Sequence, residues 1–432
     1  MADLSRDSGK TARTVVSVDP HGKALSQKNI HTRWHPDIPA VAQVEQGEVF
    51  KVECMDFTGN AIGNNDSVDD VLDFMWEADH HLSGPVSIKG ANPGDVLRVD
   101  ILDIAPFETR PWGFSLVDPG LGPLDRADSR FAKSIWDLNG IEASSRHVKD
   151  IAFAGRPHCG VIGTAPSPEL LAEWTKREHG INEKYKNHGV TCALMPLEKG
   201  AYVGQELPSE VEERIKRHGA RTKPAREHGG NIDSASLTRG STIFLPVFVP
   251  GANLSIGDLH FSQGDGEPTC ALEIAGIATL RTTVLPGGVA KLGLKSPMVI
   301  PSPAEPLYRD QLVFHGLSVD REGTQQRSDL TTSFVQAASH AMEYLQKFGY
   351  SHEQAYMIMA VAPVEARVLA VPNIPNANVS VGLPTKIFSF DILPSAQGPQ
   401  EADRGSAAYL SPEREAKVMA DREKKPSPFD RG

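Results

Sequence analysis

The stretch Val96-Leu97-Arg98-Val99-Asp100-Ile101-Leu102-Asp103-Ile104 alternates apolar with polar residues, and Glu48-Val49-Phe50-Lys51-Val52-Glu53-Cys54 does the same. Successive side chains of an extended chain point to opposite faces, so this period of two reads as half-buried antiparallel strands rather than amphipathic helix. Between them, Ala91-Asn92-Pro93-Gly94-Asp95 supplies a turn, with Pro presetting φ and Gly accepting positive φ, and the whole reads as hairpin architecture. Further strand-like runs lie at 15–18, 241–249 and 272–280. With 38 Gly and 32 Pro in 432 residues, about one residue in six is a turn former, which favours many short strands over long helices. The expected fold is mainly β and antiparallel, with a few peripheral helices and a C-terminal helical segment.

The helices carry their own start and stop signals. Ser167-Pro168-Glu169 offers an N-cap and a first-turn proline before Leu170-Leu171-Ala172-Glu173-Trp174, and Pro208-Ser209-Glu210 opens a second polar helix that ends near Gly219. Both read as surface insertions, spanning about 167–220. In 329–348 the apolar residues Phe334, Ala338, Ala341, Met342, Leu345 and Phe348 recur at steps of three and four, giving a one-faced helix stopped by Gly349. Ser351-His352-Glu353-Gln354 has capping-box spacing for a further helix that Pro363 ends. Residues 1–12 form an N-terminal arm, 13–394 one unit, and 395–432 a polar, flexible tail. The apolar face of 329–348 and the tail suggest packing against a second copy, the alternative being a helix that covers its own sheet.

The net charge of −11 and the lack of any Lys/Arg run remove the electrostatic footprint of a nucleic-acid partner. No run of 18 uncharged apolar residues marks a membrane span, and the N-terminus has no secretory apolar core. Cys54, Cys159, Cys192 and Cys270 are scattered without a Cys-x-x-Cys pair, which fits a reduced, cytoplasmic setting.

Gly257-Asp258-Leu259-His260-Phe261-Ser262-Gln263-Gly264-Asp265-Gly266-Glu267 holds the densest set of ligand-type side chains. Asp258 and His260 are two apart, so on an extended segment both project to one face, as two ligands of one ion must. A carboxylate with an imidazole suits zinc, and Asp265 and Glu267 add carboxylates that serve as ligand or general base. A glycine turn with solvated acids is the alternative. In Glu227-His228-Gly229-Gly230-Asn231-Ile232-Asp233 the paired glycines permit close backbone approach to a ligand, and His228, Asn231 and Asp233 are three polar groups of different kinds; a capped turn is the alternative. In Pro157-His158-Cys159-Gly160 the His and Cys point to opposite faces of a strand, which leaves His158 as a possible site residue and discounts Cys159 as a nucleophile. Gly63-Asn64-Asn65-Asp66-Ser67-Val68-Asp69-Asp70 could hold Ca²⁺ or present amide-binding groups, but lacks EF-hand spacing and equally suits a plain loop. His80-His81 reads as a structural or exposed pair. Dinucleotide, P-loop and nucleophile-elbow motifs are absent.

Taken together, Asn64-Asn65-Asp66-Ser67, His81-Leu82-Ser83-Gly84-Pro85, Gly90-Ala91-Asn92-Pro93-Gly94-Asp95, His158-Cys159-Gly160-Val161-Ile162-Gly163, Arg226-Glu227-His228-Gly229-Gly230-Asn231 and the segment from Gly257 to Glu267 closely resemble the acetamidase/formamidase family. The first two look like its formamidase branch. The resemblance implies a strand-rich β-sandwich, a homo-oligomer, and metal-assisted hydrolysis of formamide to formate and ammonia. Under it the metal ligands are His228, Asp258 and His260, the metal is divalent, zinc by ligand type, and Glu267 or Asp265 handles the proton. His158, Asn64, Asp66 and Asn231 orient the amide. The competing expectations are an amidase for acetamide or another short amide, and a non-catalytic sandwich whose metal site is closed by four protein ligands.

Overall fold

The computed structural model describes residues 12–126, 128–188, 193–303, 310–371, 374–394 and 398–423. The expected N-terminal arm, apart from its last residue, and Cys192 lie outside them. The chain is mainly β, with 32% of residues in strands and 22% in helices.

Two sheets face each other across one core. The smaller runs in the order Arg13–Val16, Val49–Cys54, Gly276–Leu285, Val96–Pro106, Thr242–Pro246, Met298–Ile300. The larger runs from Ala152–Ala154 through Trp112–Val117, Leu272–Ile274, Leu254–Ser262 and His158–Gly163 to Ala225–Arg226, and Leu82–Ile88 also pairs with Leu254–Ser262. The alternation read from the sequence sets the packing: Phe50, Val52, Leu97, Val99 and Ile101 of the smaller sheet meet Ile162, Ile256, Leu259 and Phe261 of the larger in one buried cluster.

The hairpin expectation is corrected. Val49–Cys54 and Val96–Pro106 are not partners, because Gly276–Leu285 lies between them and pairs with both. The Ala91–Asp95 turn instead carries the chain from Leu82–Ile88 in one sheet to Val96–Pro106 in the other. Likewise 272–280 is divided at Ala275: Leu272–Ile274 pairs in the larger sheet and Gly276–Leu285 in the smaller. Local periodicity specifies which face of a strand is buried, not which distant strand lies beside it.

The helices follow their signals. Ser167 caps Pro168–Tyr185, Asp329 caps Leu330–Gln346, and Ser351 with Gln354 closes a capping box on His352–Val361. Among the described residues none of the helices is long and apolar enough to cross a membrane. The apolar face of Leu330–Gln346 covers the chain's own sheet of Gln311–Leu317, Asn378–Pro384 and Glu365–Ala370. Its amphipathicity is thus used within the chain.

The described part of the expected flexible tail is built into the fold. Ala408–Tyr409 pairs with Ala132–Asn139, and Leu410 is buried. Arg404 donates from Nε to the Phe348 carbonyl at 2.9 Å and from Nη1 to Asp150 at 2.6 Å, with its guanidinium 3.7 Å from the Phe390 ring centroid. Composition alone reads such a segment as solvated; the long side chains and three buried apolar residues, Ala407, Ala408 and Leu410, dock it. Arg404→Met should lower the urea midpoint by the equivalent of about 1–3 kcal/mol, since it strips a buried carbonyl and a carboxylate of a charged donor. An unchanged midpoint would mean that this segment merely rides on the surface.

Candidate active site

Three adjacent strands of the larger sheet place a row of polar side chains. His260, on Leu254–Ser262, lies opposite His158 on one neighbour and Glu273 on the other. Asp258 stands two residues before His260, and the loop that follows the strand returns Gln263 and Glu267 to the same place. Asp233, Asp258 and Glu267 all have positive φ, at 46°, 54° and 34°, a conformation that side-chain-bearing residues rarely adopt. Strained backbone gathered at one cluster marks a functional site. Gly160 makes the gathering possible: a Cβ there would stand 2.4 Å from Asp258 Oδ2 and 2.7 Å from Asp233 Oδ1.

Hydrogen bonds fix the orientation of His260. Gln263 donates from Nε2 to the Asp233 carbonyl at 2.7 Å, so its Oε1 faces the imidazoles and accepts from His260 Nδ1 at 2.9 Å. With Nδ1 donating to Gln263, His260 Nε2 points into a nest of carboxylates: Glu273 Oε2 at 3.3 Å, Asp258 Oδ1 at 3.4 Å and Glu267 Oε1 at 4.0 Å. His80 Nε2 closes the far side, 3.6 Å from Asp258 Oδ2. His158 Nε2 lies 2.9 Å from Gln263 Oε1 and 3.3 Å from His260 Nδ1.

Four acids so close together, Asp258 and Glu273 buried and Asp233 and Glu267 half-buried, cannot all be ionised without compensating charge. Burial, reinforced by Asp233 and Asp258, pushes Glu267 well above the usual carboxyl range. Burial and the Asp258 and Glu267 charges do the same to Glu273, and burial with Asp258 raises Asp233. Burial would also raise Asp258, but His80 and His260 beside it hold it down to about 2. Burial would lower His260, and Asp258 overrides it and raises it. His158 is brought down to about 3 by burial and by His260.

This donor set fits a divalent cation. Asp233, Asp258 and His260 offer ligand atoms within 4.8 Å of one another, as do His260, Glu267 and Glu273. Asp233 Oδ1, His260 Nε2 and Glu273 Oε2 are buried and make no hydrogen bond among the described residues. Atoms of that kind need a proton or a cation. The cluster opens on a cavity of about 190 Å³, with Asn231 and Lys223 on its wall and Phe57, Trp76 and Leu121 on its apolar side. A larger groove of about 680 Å³ runs along helix Leu330–Gln346, but it contains none of these groups, and the chemistry belongs to the smaller cavity.

Of the residues expected from sequence, Asp258, His260, Glu267 and His158 come together, and Asn231 lines the cavity. The others are placed elsewhere. His228 is wedged between Trp34 and Trp174, with ring centroids at 4.5 and 4.6 Å, and belongs to neither donor group. Asp265 turns to the C-terminal layer, where its carboxylate accepts from the Ala366 N–H at 3.0 Å. Asn64 and Asp66 accept from Arg146 at 3.0 and 2.9 Å at the surface. Their loop is organised by the buried Lys133, which donates to Asp70 at 2.7 Å and to the Gly63 carbonyl at 3.3 Å. A lysine thus holds the loop that the sequence offered to Ca²⁺. Sequence reasoning left Asp233 and Gln263 without a role, took His80 for a structural or exposed residue, and missed Glu273. Glu273 carried one signal, a lone acid between Leu272 and Ile274 in an apolar strand.

A β-sandwich with a buried carboxylate–imidazole cluster at the end of a small cavity is a protein built for polar chemistry on a small molecule. The chain belongs to the Acetamidase/Formamidase family, whose sequence profile it matches over residues 17–390. It is 45% identical over 394 residues to a protein named formamidase from Methylophilus methylotrophus, covering 90% of this chain and 97% of that one. It is 43% identical to a protein named acetamidase from Mycolicibacterium smegmatis, covering 81% and 90%. The solved structure of a gamma lactamase from Delftia acidovorans superposes with a TM-score of 0.89 at 44% identity, covering 93% of this chain and all of that one.

The raised acids fix the sign of a pH effect. Glu267 and Glu273 titrate higher in the folded chain than the 4.5 of a free carboxyl, so the stability they contribute is complete below that value and is lost as pH rises above it. Protein stripped of metal by a chelator should therefore become less stable from pH 5 to pH 8, by up to about 1.4 kcal/mol per pH unit for each carboxyl. Asp258 acts in the opposite sense only below about pH 4. Thermal melts of stripped protein check this: Glu273→Gln should flatten the decline, and a flat profile in the unsubstituted chain would contradict the electrostatics.

Proposed function

We propose that this chain hydrolyses formamide to formate and ammonia at the His260 cluster. The observation that carries the reading is a buried imidazole whose Nε2 is aimed at carboxylates beside a cavity of about 190 Å³, in a chain 45% identical to a protein named formamidase. That volume lies well below the roughly 300–1,000 Å³ of drug-sized pockets and suits a ligand of a few heavy atoms.

His260 Nε2 and Asp258 would hold a divalent ion, zinc by their donor types, with Asp233 or Glu273 completing the set. Such an ion, when bound, supplies a Lewis acid that polarises an amide carbonyl and acidifies water. The chain's own groups do the rest. Asn231 and Lys223 present an amide and an ammonium to the substrate from the cavity wall, and Phe57 and Trp76 limit water around it. Glu267 is the proton carrier: burial beside Asp233 moves its pKa up from the ordinary carboxyl value, towards the range where it can accept a proton from water and return one to the departing nitrogen. His158 and Gln263 keep His260 in the tautomer that the site needs. Formamide and water are consumed one for one: one proton of the water goes to the departing nitrogen to give ammonia, and the other is released when the formic acid ionises to formate.

Formamide should yield ammonia and formate in equal amounts. Acetamide should react about 10- to 200-fold more slowly, the usual worth of one methyl in a pocket. Acetamide as the faster substrate would favour the acetamidase reading, and no ammonia from either amide by metal-loaded protein would sink both. Glu267→Gln should retain its metal, measured by elemental analysis, while turnover falls by about 10² to 10⁴. Loss of metal in that variant would make Glu267 a ligand instead.

A further inference from the structure

The cavity has a roof, and its fastenings are unusual. Segment 118–126 forms this part of the cavity wall, with Leu121, Gly122 and Pro123 on the cavity surface together with Glu267 and Glu273. Inside the segment, Asp125 Oδ2 accepts from the Gly120 and Gly122 N–H groups at 2.6 and 3.3 Å, so the turn is rigid in itself. Its backbone is pressed onto the loop that carries Glu267: a Cβ on Gly122 would lie 1.9 Å from the Pro268 carbonyl and 2.2 Å from Tyr356 Oη.

Tyr356 sits at that junction, fully buried on helix His352–Val361. Its hydroxyl donates to the Pro268 carbonyl at 2.5 Å and accepts from the Leu124 N–H at 3.3 Å. One oxygen therefore ties the roof to the residue after Glu267. The same helix and the turn after it hold the front of that loop, where the Gly264 N–H donates to the Ala360 carbonyl at 2.7 Å and the Asp265 N–H to the Val364 carbonyl at 2.9 Å. From outside, Arg321 donates to the Leu124 carbonyl at 3.0 Å and to the Asp125 carbonyl. The roof is thus pinned on both sides by two side chains that never enter the cavity.

We infer that Tyr356 and Arg321 are positioning residues that hold segment 118–126 closed over the site and so set the size of amide the cavity admits. This rests on the proposed hydrolysis for its kinetic consequences but not for its geometry. Without the Tyr356 hydroxyl, the Pro268 carbonyl and the Leu124 N–H both lose a partner, and the roof can separate from the floor. Loops of this kind govern entry and exclusion of water, so loosening one moves KM and selectivity together.

The test uses the full chain in three forms, unsubstituted, Tyr356→Phe and Arg321→Met, each checked by thermal melt and metal content. Cys270 lines the cavity beneath the roof and is 7% exposed, whereas Cys54 and Cys159 are fully buried. Its alkylation by iodoacetamide, followed by mass spectrometry of its peptide, reports the roof without any assumption about the substrate. Both variants should label Cys270 faster by about 5- to 100-fold, the worth of the two hydrogen bonds that each removes. Each should also raise KM for formamide and shift the ratio of kcat/KM for acetamide over formamide upward, on the order of tenfold. Labelling within twofold of the unsubstituted chain in both variants overturns the inference, as does a loss of turnover that leaves the acetamide-to-formamide ratio unmoved. Should Tyr356→Phe fail to fold, Arg321→Met, made on an exposed side chain, decides alone. Failure of the unsubstituted protein to act on either amide refutes the proposed hydrolysis, and the labelling arm still decides the roof.

Discussion

His260 Nε2, buried and directed at Asp258 and Glu273, is the constraint around which the site is built. A neutral imidazole nitrogen and a carboxylate oxygen 3.3 Å apart repel unless a proton or a cation lies between them. Gln263 takes the proton on Nδ1, so the compensation must come on the side of the acids. That requirement accounts for the raised Glu267 and Glu273, for the positive φ of three acidic residues, and for the glycine at 160. It is also why a divalent cation suits the cluster better than protons alone: one ion satisfies several acids at once, while shared protons leave at least one of them exposed to its neighbours.

The sandwich provides what such a cluster requires. Leu259 and Phe261 flank His260 in sequence and point into the core between the sheets, which leaves the imidazole on the opposite, functional face. The strand is paired on both sides through the site, so the row His158, His260 and Glu273 is held by backbone ladders rather than by loops. The loop carrying Glu267 has no such ladder and borrows rigidity from helix His352–Val361. The polar C-terminal segment then locks that helix in place, because Gln354 donates to the carbonyls of His147 and Arg404 at 2.8 and 3.0 Å. A region that looks peripheral in composition thereby bears on the geometry of the site.

The fold and site were legible in the sequence wherever the deciding physics is local. Period-two alternation at 48–54 and 96–104, the caps at Ser167, Asp329 and Ser351, and the shared face of Asp258 and His260 all depend on neighbours within a few residues. The pairing of Gly276–Leu285 between two strands that read as a hairpin depends on loop closure across the whole chain. Glu273 joins the site through a different long-range pairing, that of Leu272–Ile274 with Leu254–Ser262, since its own segment looks like ordinary core. His228 misled for the complementary reason. A histidine beside two glycines suggests a ligand, yet Trp34 and Trp174, distant in sequence, enclose it. Asn64 and Asp66 form a loop rich in ligand types that Lys133 and Arg146 already satisfy.

The central claim is that one divalent ion sits between His260 Nε2 and the surrounding carboxylates. Anomalous diffraction from crystals of the full chain grown with zinc tests it directly. The account predicts a single strong peak within bonding distance of His260 Nε2 and Asp258, with Asp233 or Glu273 as a further ligand. A peak beside His228, or none near His260 while zinc binds elsewhere on the molecule, would contradict it.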